Sequence, residues 1–194
     1  MKYLLIGLIL VSCGPNSFGQ QIWKLAKKEQ GIEVYVGAVP NSEYVAFKAI
    51  MTLKTTENEA LKILKDVEKY PEWFAYTESV NLLKQSENEQ YFLMETDYPF
   101  PFSNECMNYT MTFQRMENEG LKIIVAGTQS KAHCKYSLKK AGGYLLLEPE
   151  KEYLKITYYF HSEPSQGIPK GLINPMIYKM PLQTFIALKK KLQP

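Results

Sequence analysis

The sequence is poor in the residues that bind metal ions and nucleic acids. It holds three cysteines, two histidines and a single arginine in 194 residues. No CxxC, HExxH or Cys/His cluster is present, so zinc has no set of ligands to use. A net charge of +3 with one arginine argues against the clustered basic field that nucleic-acid binding requires. We therefore expect no metal, no cofactor and no nucleic-acid partner.

The sequence also lacks, at its N-terminus, an apolar run of the ~20 residues that cross a bilayer. The short basic segment 1–3 is followed by the apolar run 4–11, and polar residues come directly after it. This order is typical of an export signal. We predict a signal peptide over residues 1–19 and a single domain over residues 20–194, a length that suits one hydrophobic core.

Two cleavage sites are compatible with this signal. Residues 10–13, Leu-Val-Ser-Cys, resemble the bacterial lipobox, which makes Cys13 an acylated lipid anchor. Cleavage after Gly19 instead leaves Gln20 as the first residue. We favour the lipoprotein, and both alternatives predict an exported protein of the bacterial cell envelope, either periplasmic or membrane-anchored.

Export leaves Cys106 and Cys134 as the remaining cysteines, and an oxidising compartment favours a disulfide. Both residues lie in predicted strands, with a third strand at about 120–128 between them. Because strands are ~4.8 Å apart, two spacings exceed the ~7 Å limit between bridged Cα atoms. We therefore expect two buried thiols.

The composition of 45% hydrophobic residues excludes disorder for most of the chain, and the patterns predict an α+β domain. Residues 21–30 are predicted to form a helical lead-in. A helix is predicted from Thr56, its cap, to about Tyr70-Pro71. A long helical segment closes the chain at 168–192, with Pro175 and Pro181 expected to kink or interrupt it. The predicted strands are 32–38, 43–53, 79–84, 90–97, 105–116, 120–128, 132–139, 143–148 and 153–161.

Two predicted strands place large side chains on one face. Met107, Tyr109, Met111 and Phe113 alternate with polar residues, and Leu154, Ile156, Tyr158 and Phe160 also alternate. These stripes alone favour a filled core over a hollow one. A strongly bent sheet around a helix can nevertheless leave a cleft, and methionine suits an interior that adapts to a guest.

Several motifs, in order and over about residues 21–192, resemble the START (steroidogenic-acute-regulatory-related lipid-transfer) domain family. They are Trp23 with Gly31–Tyr35, the segment from Asp66 to Trp73, the Pro-aromatic-Pro segment Tyr98–Ser103, the strand Gly142–Pro149, and the strand and loop from Thr157 to Asn174. One position departs from the family pattern. Glu105-Cys106 stands where the family commonly has Arg-Asp, so a head-group contact is not carried over.

The resemblance implies a helix-grip fold, in which a curved antiparallel sheet surrounds the long C-terminal helix and an apolar tunnel. It implies binding of a lipid or other hydrophobic molecule, for transfer or sensing, without catalysis. We predict a monomer that meets the membrane through its N-terminal anchor. The predicted ligand-binding residues are Trp73, Met107, Tyr109, Met111, Phe113, Tyr158, Phe160, Ile173 and Ile177.

Two alternatives remain open. An enzyme of the cyclase or aromatase type shares the hollow fold, and an envelope interaction module with a filled core binds no ligand. His161, Ser162 and Glu163 are adjacent in the sequence, but members of a catalytic triad meet through folding and are judged by geometry. We predict that the protein is not an enzyme.

Overall fold

The structure, a computed structural model, describes residues 22–117, 119–130 and 134–193. The predicted signal peptide, including Cys13, lies outside the described residues. In chain order the described part contains the strands and helices β1 (Trp23–Glu29), β2 (Ile32–Gly37), β3 (Ala46–Leu53), α1 (Glu57–Lys65), a 3-10 helix (Val67–Glu72), β4 (Thr77–Gln85), β5 (Glu89–Thr96), β6 (Glu105–Arg115), β7 (Leu121–Thr128), β8 (Lys140–Glu150), β9 (Tyr153–Glu163) and α2 (Lys170–Leu192).

All nine strands form one antiparallel sheet in the order β1-β2-β3-β9-β8-β7-β6-β5-β4. Strands β4 to β9 pair in sequential order, whereas β3 pairs with the last strand, β9. The α2 helix packs against β1, β2 and β3. The α+β class is confirmed, with a curved antiparallel sheet around a long C-terminal helix.

The α1 helix begins where the sequence predicts. Thr56 accepts a hydrogen bond from the Glu59 backbone N–H, and the Glu59 carboxylate accepts one from the Thr56 backbone N–H, which forms a capping box. The helix ends at Lys65 rather than near Tyr70. Pro71 then lies within the 3-10 helix, which leads the chain back to the sheet.

The long C-terminal helix is present and continuous through Pro175 and Pro181. Because proline has no backbone N–H, these two positions leave the carbonyls of Gly171 and Ile177 without their usual helical donor. The buried residues of α2 cluster in its second half, where Phe185 and Leu188 are each 1% exposed.

Two predicted elements are wrong. Residues 21–30 do not form a helical lead-in, because Trp23–Glu29 is the edge strand β1 and forms a hairpin with β2. Gln30 and Gly31 both have positive φ, 50° and 79°, which suits a two-residue hairpin turn. The described residues of the predicted strand 132–139 make one isolated bridge, Cys106 to Ser137, and the next strand begins only at Lys140.

The core lies on the concave face of the sheet, beneath α1, the 3-10 helix and α2. It includes Leu64 from α1, Ile156 from β9 and Phe185 from α2. Gly143 permits a close approach between β8 and β9, since a Cβ atom there would overlap the Tyr159 carbonyl oxygen and lie 2.8 Å from the Phe160 Cα.

Candidate functional site

An inner cavity of about 100 Å³ lies between the sheet and the segment that follows α1. Its walls come from β5 to β9, the segment 70–76 and Met180 of α2. It is lined by Leu64, Tyr70, Phe74, Ala75, Tyr76, Phe92, Met94, Thr96, Tyr98, Tyr109, Met111, Val125, Leu138, Leu145, Tyr158, Phe160, Ser162 and Met180. No charged side chain stands among these described residues.

A second, outer cavity of about 80 Å³ lies towards the start of α2. Ile173, Met176 and Ile177 of α2 form one wall, and Val45 and Phe47 lie on the other side. Both cavities share Tyr76, Thr96, Tyr98, Phe160, Ser162 and Met180. The two spaces are therefore neighbours across a neck that carries several hydroxyl groups.

The structure brings six of the nine predicted ligand-binding residues to these cavities. The inner cavity takes Tyr109, Met111, Tyr158 and Phe160, and the outer cavity takes Phe160, Ile173 and Ile177. Strand alternation identifies the residues of β6 and β9 as inward-facing, and helical spacing does so for Ile173 and Ile177. The structure places the empty space beside the middle of β6 and the end of β9. Their role in binding stays a prediction.

The other three predicted residues are buried at different places. Trp73 lies beside an outer groove that also touches Lys69 and Lys191. Phe113, near the end of β6, packs beneath the Lys65 ammonium group, 4.5 Å from its ring centre. Met107 is 1% exposed within the packed core. The inward face of β6, which the sequence predicts correctly, therefore extends beyond the cavity at both ends.

In the segment 70–76 the sequence prediction named Trp73 and missed the aromatic residues that line the cavities, Tyr70, Phe74 and Tyr76. The rings of Tyr70 and Phe74 stack with centres 5.0 Å apart, and Tyr76 reaches the neck. The Tyr70 hydroxyl donates to the Leu64 carbonyl at 2.6 Å, and the Ala75 N–H donates to the Thr184 hydroxyl at 3.1 Å. The signal was present as four aromatic residues within seven positions, at 70, 73, 74 and 76.

The phenols around the cavity are held in their neutral form. Burial raises the pKa of Tyr70, Tyr109 and Tyr158 well above the ordinary value for tyrosine. Burial, followed by the nearby Glu105 carboxylate, does the same to the pKa of Tyr98. Each phenol therefore keeps its proton at any physiological pH and can donate a hydrogen bond.

Glu105, which departs from the family pattern, anchors the loop before α2. Its fully buried carboxylate accepts hydrogen bonds from the backbone N–H groups of Ser165 at 3.0 Å and Gln166 at 2.9 Å. The side chains of the same two residues also donate to it, at 2.9 and 3.1 Å. In the described part of the chain it forms no ion pair. Donors rather than a cation therefore stabilise this carboxylate, which fixes the loop beside the outer cavity.

Cys106 and Cys134 form a disulfide with Cα atoms 6.1 Å apart, so the prediction of two free thiols is wrong. That prediction placed Cys134 on a strand beyond β7. The pairing of β7 with β6 instead reaches only to Asn108, which leaves the start of β6 uncovered. The chain after β7 returns there, and Cys106 forms backbone hydrogen bonds with Tyr136 and Leu138.

His161 makes a contact that superficially resembles a catalytic pair. The Ser42 hydroxyl oxygen lies 3.0 Å from its Nε2 atom, and burial lowers the pKa of the ring. The Glu163 carboxylate, however, lies 3.9 Å from the same nitrogen. In a serine hydrolase triad the acid bonds the other ring nitrogen, so this arrangement does not orient a general base.

Within residues 22–117, 119–130 and 134–193, no three His, Cys, Asp or Glu side chains are grouped so that they could hold a metal ion. Neither described helix combines the length and the hydropathy needed to span a membrane.

Comparison with known proteins adds sequence and structural relatives. No protein-family model matches the chain. An uncharacterized Pseudomonas aeruginosa protein is 25% identical over 171 residues, covering 86% of this chain and 85% of that protein. A crystal structure from Xanthomonas axonopodis, described as a STAR-related lipid transfer protein, is 28% identical with a TM-score of 0.82 and covers 89% of this chain and 99% of that one.

Human STARD10 has the same fold, with a TM-score of 0.73 and 16% identity over 87% of this chain and 72% of that one. At that identity the likeness concerns the fold alone. The agreement with the bacterial structure extends further, since it joins the fold to sequence similarity over nearly the whole of both chains. The chain therefore has the START helix-grip fold and is similar in both fold and sequence to a bacterial STAR-related lipid transfer protein.

Proposed function

We propose that the protein binds a lipid or another hydrophobic small molecule in the inner cavity, as a carrier or a sensor and without catalysis. The observation that carries this proposal is an uncharged cavity between sheet and helix, walled by aromatic and methionine side chains. Such a wall favours apolar guests, because their transfer from water removes apolar surface at no cost in buried charge.

The size of the cavity bears on how a guest is accommodated. Small-molecule pockets usually measure about 300–1,000 Å³, whereas the inner cavity measures about 100 Å³. Met94, Met111 and Met180 line it, and their unbranched side chains rearrange readily. We propose that a guest widens the inner cavity towards the outer one by moving these side chains.

Native mass spectrometry of the purified protein, followed by extraction and identification of any co-purified molecule, tests this proposal. A bound apolar molecule with one-to-one stoichiometry is the expected result. A protein that carries no guest and takes up none from a mixture of lipids would favour an interaction module. Turnover of an added polyketide would favour an enzyme.

A substitution in the cavity wall provides the first prediction. Met111→Trp is expected to abolish uptake while lowering stability by less than about 1 kcal/mol, because the indole enters empty space. Native mass spectrometry measures uptake, and denaturant unfolding measures the free energy of unfolding.

Met51→Trp is the matched control for this substitution. Met51 is 2% exposed in the core and does not line either cavity. The same change there should cost about 1–3 kcal/mol, as overpacking usually does. If Met111→Trp is equally destabilising, the space beside Met111 does not accept added volume and the cavity proposal fails.

We further propose that the protein works in the bacterial cell envelope, held by an acylated Cys13. The Cys106–Cys134 disulfide supports an exported location, because disulfides persist in oxidising compartments and are rare in the cytosol. The lipobox-like segment supports the anchor.

The second prediction concerns that anchor. Cys13→Ala should move the protein from the membrane fraction to the soluble fraction of the envelope, because two or more acyl chains are needed for stable attachment. Fractionation followed by immunoblotting measures the distribution, and Cys134→Ala serves as the control that leaves the anchor in place. A wild-type mature N-terminus at Gln20 would contradict the lipoprotein.

A further inference from the structure

The inner cavity is mostly apolar but contains phenol hydroxyls that have no hydrogen-bond partner among the described residues. Tyr109 and Tyr158 are each 4% exposed and Tyr98 is 9% exposed, and all three line the cavity. In the described part of the chain, their hydroxyls form no hydrogen bond. The nearby Tyr70 differs, because its hydroxyl donates to the Leu64 carbonyl.

The three phenols line the same space. The rings of Tyr109 and Tyr158 each approach Phe160, with centres 6.2 and 5.9 Å away. Tyr98 lies at the neck between the two cavities, where Ser162 adds another hydroxyl.

A hydroxyl that faces the cavity and has no partner among the described residues is left to water or to a guest. A hydrocarbon that displaces the water leaves such a hydroxyl without a hydrogen bond, whereas a guest with a hydroxyl or carbonyl oxygen accepts one from it. We propose that Tyr98, Tyr109 and Tyr158 form a polar subsite that selects uncharged ligands carrying such an oxygen. This inference rests on the proposed function and names the ligand class of the same cavity.

The charges around the cavity explain why the ligand is uncharged. No lysine, arginine or histidine lines either cavity in the described residues. The charged group that acts on Tyr98 is the Glu105 carboxylate, which is negative and already engaged by Ser165 and Gln166. A carboxylate or phosphate in the cavity would lose its hydration without gaining a cation, and it would be repelled by Glu105.

Three probes of nearly equal shape separate these possibilities: naphthalene, 2-naphthol and 2-naphthoate at neutral pH. Calorimetric titration of the purified protein should give 2-naphthol an affinity about tenfold higher than that of naphthalene. Binding of 2-naphthoate should be weaker than that of 2-naphthol by at least about tenfold, because its charge is buried without a partner.

Substitutions that remove only a phenol hydroxyl test whether the subsite causes the preference for 2-naphthol. Tyr109→Phe and Tyr158→Phe should each lower the preference for 2-naphthol over naphthalene by about fivefold, with naphthalene affinity unchanged. Tyr144→Phe is the control, because Tyr144 stacks on Tyr159 and lines neither cavity, so the preference should persist.

The outcomes distinguish this inference from the proposed function. If naphthalene and 2-naphthol bind equally, or if the phenylalanine variants keep the preference, the subsite is wrong while hydrophobic binding stands. If 2-naphthoate binds as tightly as 2-naphthol, the selection for uncharged ligands is wrong. If no probe binds, the proposed function is contradicted and the subsite with it.

Discussion

Removal of the Cys106–Cys134 disulfide is expected to lower the free energy of unfolding by about 3.5 kcal/mol. The two cysteines are 28 positions apart in the sequence, and a cross-link of that span restricts the unfolded chain considerably. For a domain of this size, the loss corresponds to a melting temperature lower by about 10 °C. Denaturant unfolding of the double variant Cys106→Ala/Cys134→Ala measures it.

The redox dependence provides a control on this prediction. Dithiothreitol should destabilise the wild-type protein to the level of the double variant and should leave the double variant unchanged. A wild-type protein whose stability is insensitive to the reductant would show that the cross-link is absent in solution. A double variant that responds to the reductant would show that the effect has another source.

Glu105→Gln is expected to lower the free energy of unfolding by about 2 kcal/mol and to release the loop before α2. The carboxylate accepts from four groups of Ser165 and Gln166, and charge-assisted hydrogen bonds are about twice as strong as neutral ones. The glutamine also turns an N–H₂ group towards one or more of these donors. Denaturant unfolding gives the global effect, and hydrogen exchange at residues 165–168 gives the local one.

The control for Glu105→Gln is the exposed pair of Lys54 and Glu152, whose nitrogen and oxygen atoms are 2.6 Å apart. Glu152→Gln removes a carboxylate that is surrounded by water, and surface ion pairs contribute little to stability. It should leave both measurements unchanged. If Glu105→Gln behaves like Glu152→Gln, the buried hydrogen bonds do not fix the loop.

Local patterns predicted most of the elements because local physics dictates them. The capping box of Thr56 and Glu59 depends only on two residues three positions apart. The alternation of β6 and β9 depends only on each strand having one buried face. The lead-in failed for the opposite reason. Trp23–Glu29 has no strong stripe of its own and becomes a strand by pairing with β2.

The cysteine prediction failed because it placed Cys134 on a strand separated from Cys106 by β7. The register between β6 and β7 is set by side-chain packing and by the turn, and it leaves residues 105–107 outside the β7 pairing. No local pattern reports such an offset. The position of the cavity could not be predicted either. Alternation assigns Met107 and Met111 to one face but does not show which of them lies beside empty space.

The two prolines of α2 separate two parts of one continuous helix that differ in backbone hydrogen bonding and in packing. The second part keeps its full set of backbone hydrogen bonds and seats Phe185 and Leu188 in the core. The first part lacks two of those bonds and packs Ile173, Met176 and Ile177 against a small separate cluster around Tyr98 and Ile168, next to the outer cavity. We therefore expect its detachment to cost only a fraction of global unfolding. Opening at this end, with the sheet and the rest of the helix still native, would let the proposed guest exchange without the fold being lost.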